Sequence, residues 1–249
     1  GGLQRTFLMK ERYLLANQTI GEDDIQTLID WLHTNPWLTQ GSLVKEFESQ
    51  WAKWLGVKYA TFVNSGSSAN LLMYYSLFLS GRLKNKKVVV PAISWATTVA
   101  PAIQLGFEPI MCEANWDNFG LDLDHLETIL KEHDPAAVII VQVLGVPNDM
   151  ERLLEMKQRY GFALMDDSCA ATGSRYDGQL VGTFGDISAF SFYYGHHLST
   201  IEGGMVCTDH EALRDILLQI RSHGWAKDLE PEKEAEQARR DGVIEFNRP

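Results

Sequence analysis

The sequence predicts an α/β fold, a mostly parallel sheet with helices on both faces. Three observations carry that expectation. Strand-like and helix-like segments alternate from Tyr59 to Ser222, the pattern of repeated strand–helix–strand units. The run Ala136 to Leu144 is apolar apart from Gln142, as expected of a strand covered on both faces. Of the 249 residues, 45% are hydrophobic and 22% charged, enough apolar material for one large core.

The elements follow in order. Acidic residues after Gly21 open a helix in which Ile25, Leu28, Ile29 and Leu32 recur at helical spacing, and Asn35-Pro36 ends it. Trp37 to Gly41 is a loop. Ser42 is expected to cap the next helix, with Phe47, Trp51 and Trp54 on its core face. Tyr59–Val63, Lys87–Pro91, Pro109–Cys112, Ala136–Leu144, Phe162–Met165, Ile187–Tyr193 and Gly204–Thr208 read as strands. Ser65–Ser80, Ala96–Gln104, Leu123–Glu132, Asp149–Tyr160 and Glu211–Ser222 read as helices. The densely charged stretch Lys227 to Arg240 reads as a solvated or mobile segment. In such a sheet, right-handed crossovers bring ligands to the carboxyl ends of the strands.

Composition excludes several classes. The net charge of −11 argues against a nucleic-acid partner, which needs a basic face. The longest apolar run is too short to span a bilayer, and the start lacks a signal-peptide layout. The expectation is a cytoplasmic protein. Cys112, Cys169 and Cys207 are widely spaced and read as buried, reduced thiols. The histidines lack metal-ligand spacing, so no metal site is expected.

Four stretches could carry chemistry. Asn64 to Asn70, with Ser-Gly-Ser-Ser at its centre, joins a strand to a helix. It is either an ordinary capped helix start or an anion site built from free amides. Asp166 and Asp167 end an apolar strand, where an acid is either a cap or a site residue. Trp95 follows another strand and is either core or a platform for a flat ring. Ser191, His196 and His197 precede Glu202-Gly203-Gly204.

Taken together and in this order, these motifs resemble the DegT/DnrJ/EryC1/StrS family of sugar-modifying, pyridoxal-phosphate-dependent aminotransferases, from about Leu14 to the end. The Leu38-Thr39-x-Gly41 loop and the Arg221-x-His223-Gly224 segment also match. The resemblance implies the type I aspartate-aminotransferase fold, with Gly66, Ser67 and Ser191 on the cofactor phosphate. It implies Trp95 stacked on the pyridine ring and Asp167 on the pyridine nitrogen, with Asp166 replacing the glutamate of a Glu-Asp pair. It also implies a homodimer with a shared active site and a small C-terminal domain beyond this chain. The expected divisions are 1–20, a large cofactor-binding domain at 21–226, and a linker with the start of a further domain at 227–249.

One position departs from the pattern. The family's aminotransferases carry a lysine five residues after the serine and six before the glutamate. Here that place is His196, and no lysine occurs between Lys157 and Lys227. Imidazole cannot hold the cofactor covalently as a lysine amine does. A neutral imidazole, with an ordinary pKa of about 6.5, can take a proton near neutral pH. The histidine resembles the nucleotide-sugar 3-dehydratase branch of the family, which implies pyridoxamine 5′-phosphate as the working form and His196 as the catalytic base. It further implies a nucleotide-linked 4-keto-6-deoxy sugar as substrate and L-glutamate as amino donor. No cysteine follows Cys207, so the resemblance implies the kind without an iron–sulfur cluster, acting on a GDP-linked 4-keto-6-deoxymannose. The alternatives are a sugar aminotransferase whose lysine is replaced by histidine, and a catalytically dead binding module. A nucleotide-binding oxidoreductase lacks its glycine fingerprint.

Overall fold

The structure is a computed structural model that describes residues 20–240. Leu14, where the family resemblance is expected to begin, and the stretch 241–249 lie outside the described residues. The elements are α1 (Glu22–His33), α2 (Ser42–Leu55), β1 (Tyr59–Val63), α3 (Gly66–Leu79), β2 (Lys87–Pro91), α4 (Ala96–Gln104), β3 (Glu108–Cys112), α5 (Leu123–His133) and β4 (Ala137–Val141). They continue with α6 (Met150–Tyr160), β5 (Ala163–Asp167), β6 (Arg175–Tyr176), β7 (Gln179–Leu180), β8 (Ile187–Ser191), β9 (Gly204–Thr208), α7 (Glu211–Ile220) and α8 (Pro231–Arg240).

Seven strands form one sheet in the order β1-β9-β8-β5-β4-β2-β3. Pairing is parallel from β8 through to β3, and β9 runs antiparallel to both of its neighbours. The mostly parallel sheet is as the sequence predicts. Because side chains alternate across a strand, each strand feeds two cores. Val88, Val90, Ile139, Met165 and Ala189 face one layer, where Met73, Tyr74 and Leu77 of α3 and Leu213 and Leu217 of α7 cover them. Val89, Val138, Ile140 and Leu164 face the other, against Leu126 and Ile129 of α5 and Met150 and Leu153 of α6. Trp51 and Leu55 of α2 extend that second layer over Phe190, Met205 and Cys207. Helices on both faces explain why β4 is apolar throughout.

Several local expectations are corrected. Gly41, not Ser42, is the N-cap of α2, and Ser42 is its first helical residue. Trp51 is core, but Trp54 is 46% exposed. The apolar run 136–144 supplies a strand only to Val141. Gln142 turns inward and Leu144 takes a left-handed conformation (φ 53°), so a tight turn replaces the strand's end. The strand expected to reach Tyr193 stops at Ser191, and the short β6–β7 hairpin has no alternating apolar signal to announce it. Cys112 and Cys207 are buried as expected, whereas Cys169 is partly exposed.

The charged stretch after Lys227 is not without structure. All of it from Pro231 onward forms α8, whose Lys233 pairs with Glu211 and Asp215 of α7, while Arg214 of α7 pairs with Glu230. Ion pairing, not apolar burial, docks this helix, so hydropathy alone missed it. The stripe Ile25, Leu28, Ile29 and Leu32 does lie on a helix, but none of these side chains is buried among the described residues.

These contrasts give a measurable ordering. Leu164 is fully buried at the middle of the sheet, so Leu164→Ala should lower the unfolding free energy by about 2–5 kcal/mol. Lys233→Ala, which removes half-exposed ion pairs, should cost no more than about 1 kcal/mol. Urea denaturation of the two variants checks the order.

Candidate active site

The carboxyl ends of β1, β2, β5 and β8 surround the N-termini of α3 and α4, where an α/β sheet places its ligands. Ser65 caps α3. Its hydroxyl accepts from the Ser68 amide at 3.1 Å and its carbonyl accepts from Ala69 at 2.9 Å. The amides of Gly66 and Ser67 lie in the first turn, ahead of the helix's own ladder, and remain able to bind an anion.

Two glycines let three segments close on this turn. A Cβ on Gly66 would sit 2.6 Å from Ser191 Cβ, 2.9 Å from Ser191 Oγ and 3.0 Å from Cys169 Sγ. A Cβ on Gly204 would collide with the carbonyl of Ser65 and lie 2.8 Å from the Gly66 nitrogen. The end of β8, the start of β9 and the first turn of α3 are therefore in van der Waals contact. Ser191 is buried at this seam. Ser67 Oγ donates to Thr97 Oγ1 at 3.2 Å, which links the starts of α3 and α4. Trp95 is the N-cap of α4 and is 75% exposed.

Asp166 and Asp167 point to opposite faces of β5. Asp167 is buried. Its Oδ2 accepts from Asn70 Nδ2 at 2.8 Å and from Thr98 Oγ1 at 2.7 Å, while Oδ1 accepts from the Cys169 amide at 3.2 Å. Tyr74 donates to the Thr98 carbonyl at 3.0 Å and so fixes the first turn of α4. Asn70 Oδ1 is buried with no partner, an arrangement that costs about 1–3 kcal/mol. Asp166, on the other face, is fully buried. It accepts from Gln142 Nε2 at 3.1 and 3.2 Å, from Ser168 Oγ at 2.9 Å and from the Gly182 amide at 2.9 Å. Gln142 in turn accepts from the Asn148 amide at 2.9 Å. Burial pushes the Asp166 carboxyl up to about 6 despite those donors.

His196 lies in the turn after β8, its amide donating to the Tyr193 carbonyl at 2.9 Å. Its ring is half-buried, edge-on to Tyr193 with centroids 6.2 Å apart. Burial and the neighbouring His197 hold its pKa below the ordinary histidine value, and the charge of Asp167 acts in the opposite sense. His196 and Asp167 thus share one electrostatic neighbourhood. His197 is exposed.

The six residues singled out in the sequence gather at one end of the sheet. Gly66 and Ser191 touch, Ser67 and Trp95 flank the α3–α4 junction, and Asp167 is tied to both helices. A phosphorylated pyridine fits this set: free amides and a serine at a glycine-lined seam, an exposed indole, and a fixed carboxylate. Asn70, Thr98 and Gln142 escaped sequence reasoning. A polar Asn inside the otherwise apolar α3 was the available signal for the first. Thr98 and Gln142 gave none, because their partners are distant in sequence.

Fold and site together define a pyridoxal-phosphate-type α/β protein. Residues 18–241 match the DegT/DnrJ/EryC1/StrS aminotransferase family, and the chain belongs to it. It is 37% identical over 218 residues to the GDP-4-keto-6-deoxy-D-mannose 3-dehydratase of Yersinia pseudotuberculosis, covering 86% of this chain and 55% of that protein. It is 32% identical to the lipopolysaccharide biosynthesis protein RfbH of Salmonella typhimurium, covering 86% of this chain and 49% of that one. A crystal structure of GDP-4-keto-6-deoxymannose-3-dehydratase with a trapped PLP-glutamate geminal diamine superposes with a TM-score of 0.80 at 33% identity, over 88% of this chain and 57% of that one. The chain thus spans about half the length of the relatives it matches. No helix among the described residues is long and apolar enough to cross a membrane.

The raised carboxyl of Asp166 has a signed consequence. Its ionised form is disfavoured in the folded state, so its contribution to stability is complete below the ordinary value of 3.8 and is lost as pH rises through about 6. Between pH 7 and pH 4 the wild type should gain about 2 kcal/mol relative to Asp166→Asn. Urea midpoints across that range would show the gain.

Proposed function

We propose that the protein is a pyridoxamine-phosphate-dependent 3-dehydratase acting on a GDP-linked 4-keto-6-deoxymannose, in deoxysugar and lipopolysaccharide O-antigen biosynthesis. The observation that carries this reading is His196 at the place where the family's aminotransferases hold lysine. Without that amine the cofactor is held non-covalently. Gly66 and Ser67 offer backbone amides, and Ser191 its hydroxyl, to the phosphate. Trp95 covers one face of the ring. Asp167 accepts from the protonated pyridine nitrogen. Bound pyridoxamine phosphate would supply an amine for the sugar's C4 keto group and a conjugated ring that takes up the electron pair left at C4′ and passes it on as the C3 hydroxyl leaves.

His196 is the base that removes the proton from the cofactor's C4′ carbon. Neither of its ring nitrogens is hydrogen-bonded among the described residues, and its lowered pKa keeps it neutral near pH 7. The hydroxyl would depart as water, hydrolysis of the resulting enamine would release the cofactor's nitrogen as ammonia and leave the keto sugar, and glutamate would restore the amine form, releasing 2-oxoglutarate. No iron–sulfur cluster takes part. In this reading the protein works in the cytoplasm as a homodimer with a shared site. The exposed Ile25, Leu28, Ile29 and Leu32 stripe is consistent with a partner there. Residues 21–226 form the cofactor-binding domain.

Incubated with pyridoxamine phosphate, glutamate and GDP-4-keto-6-deoxymannose, the protein should release 2-oxoglutarate and a 3,6-dideoxy-4-keto sugar. Failure to form the dideoxy sugar despite tight cofactor binding would leave the binding-module reading. Dominant formation of a 4-amino sugar would establish the aminotransferase. His196→Asn should lower dehydration at least 100-fold with cofactor affinity retained, since general-base catalysis is worth about 10²–10⁴ in rate. The acid limb of the rate profile should lie below pH 6.5, where His196 takes up its proton. It should move to higher pH in His197→Asn, which removes a neighbouring positive charge. Gly66→Ala should weaken pyridoxal phosphate binding about tenfold or more in absorbance titration, because the new methyl displaces Ser191.

A further inference from the structure

We infer that Asn70 and Thr98 are positioning residues that orient Asp167 by occupying one of its oxygens and leaving the other to receive the ring nitrogen of the cofactor. The inference rests on the cofactor reading above and concerns two side chains to which the family resemblance assigns no role.

The geometry is asymmetric. Both side-chain donors, at 2.8 and 2.7 Å, fall on Oδ2, whereas Oδ1 holds a single longer contact, 3.2 Å, from the Cys169 amide. A carboxylate held by two donors on one oxygen loses its freedom to rotate about its terminal bond, and charge-assisted bonds of this length are the strong kind. The donors come from different helices. Asn70 sits one turn beyond the anion-binding start of α3, and Thr98 sits in the first turn of α4, three residues after Trp95. Asp167 thereby takes its orientation from the same two helices that present the phosphate amides and the indole. Phosphate, ring face and ring nitrogen are set by one rigid pair of helix starts.

A further observation points the same way. Asn70 Oδ1 is buried without a partner while its amide nitrogen serves Asp167. An apolar side chain would avoid that unpaired carbonyl, so a purely structural role does not account for asparagine here. Thr98 is held in turn by the Tyr74 hydroxyl on its carbonyl. The Thr98 hydroxyl can therefore be deleted without loosening the backbone that carries it.

Thr98→Val removes the hydroxyl and keeps the shape. In the protein loaded with pyridoxamine phosphate whose ring nitrogen is labelled with ¹⁵N, we expect two changes. Affinity by fluorescence titration falls about tenfold, and the ring-nitrogen resonance moves from the protonated toward the neutral position. Thr98→Ser should retain the wild-type resonance. In an Asp167→Asn background, Thr98→Val should change affinity by less than about twofold, because its effect passes through the carboxylate. A wild-type resonance and affinity in Thr98→Val overturns the inference, as does an undiminished effect in the Asp167→Asn background. If Thr98→Val does not fold, Asn70→Ala removes the other donor to the same oxygen and is held to the same outcomes. If the unaltered protein binds neither pyridoxamine phosphate nor pyridoxal phosphate, the cofactor reading itself has failed, and the two failures are told apart.

Discussion

The structure depends on one close contact, the seating of the first turn of α3 against the end of β8 and the start of β9. Residue 66 closes on the Ser191 and Cys169 side chains and residue 204 on the Ser65–Gly66 backbone, at distances that leave no room for a Cβ at either. That contact draws Ser191 beneath the free amides of the helix. It fixes where the chain leaves β8 and where it returns in β9, and so it sets the span of the connection that carries His196. Replacing either glycine would force apart the elements on which the whole site is hung.

A single strand divides the two neighbouring acids by its own alternation. Asp167 emerges on the side of α3 and α4 and joins the site. Asp166 emerges on the side of Gln142, Ser168 and Gly182 and ties together three loops at the carboxyl end of the sheet. Adjacent carboxylates would repel strongly on one face. On opposite faces each has its own donors, and the raised carboxyl of Asp166 is the residual cost of keeping one of them dry. The loop network on that side fixes where β5 ends, and with it the height at which Asp167 stands.

Much of this was legible in the sequence because strong local signals coincided. The central strands were readable from unbroken apolar runs, and α5 and α6 from their periodicity and flanking Asp residues. The residues that gather at the candidate site were picked out by the order of short motifs, each weak alone. What was not legible had no local signal. The cap of α2 depends on the φ/ψ of Gly41, which a favourable Ser beside it obscured. Helix α8 is docked by charges on α7, a tertiary pairing that hydropathy does not register. The exposure of Trp54 and of the α1 stripe depends on what covers them, which periodicity cannot report. Asn70 and Thr98 meet Asp167 across 97 and 69 residues of chain, separations that one sequence cannot bridge.

The antiparallel insertion of β9 has a consequence for how such a protein changes its chemistry. His196 does not ride at the head of a crossover helix, as loop residues of a parallel sheet commonly do. It rides on a hairpin anchored at both ends by the β8–β9 pairing. Tyr193, His197, Leu198 and Ile201 around it are largely exposed, so the tip carries little of the packing that stabilises the fold. The residue at the tip is therefore free to vary while the phosphate seat, the carboxylate and the core beneath stay the same. In the proposed reading, the architecture separates holding a cofactor from deciding what the cofactor does. It leaves that decision to one position at the tip of a hairpin on an otherwise fixed frame.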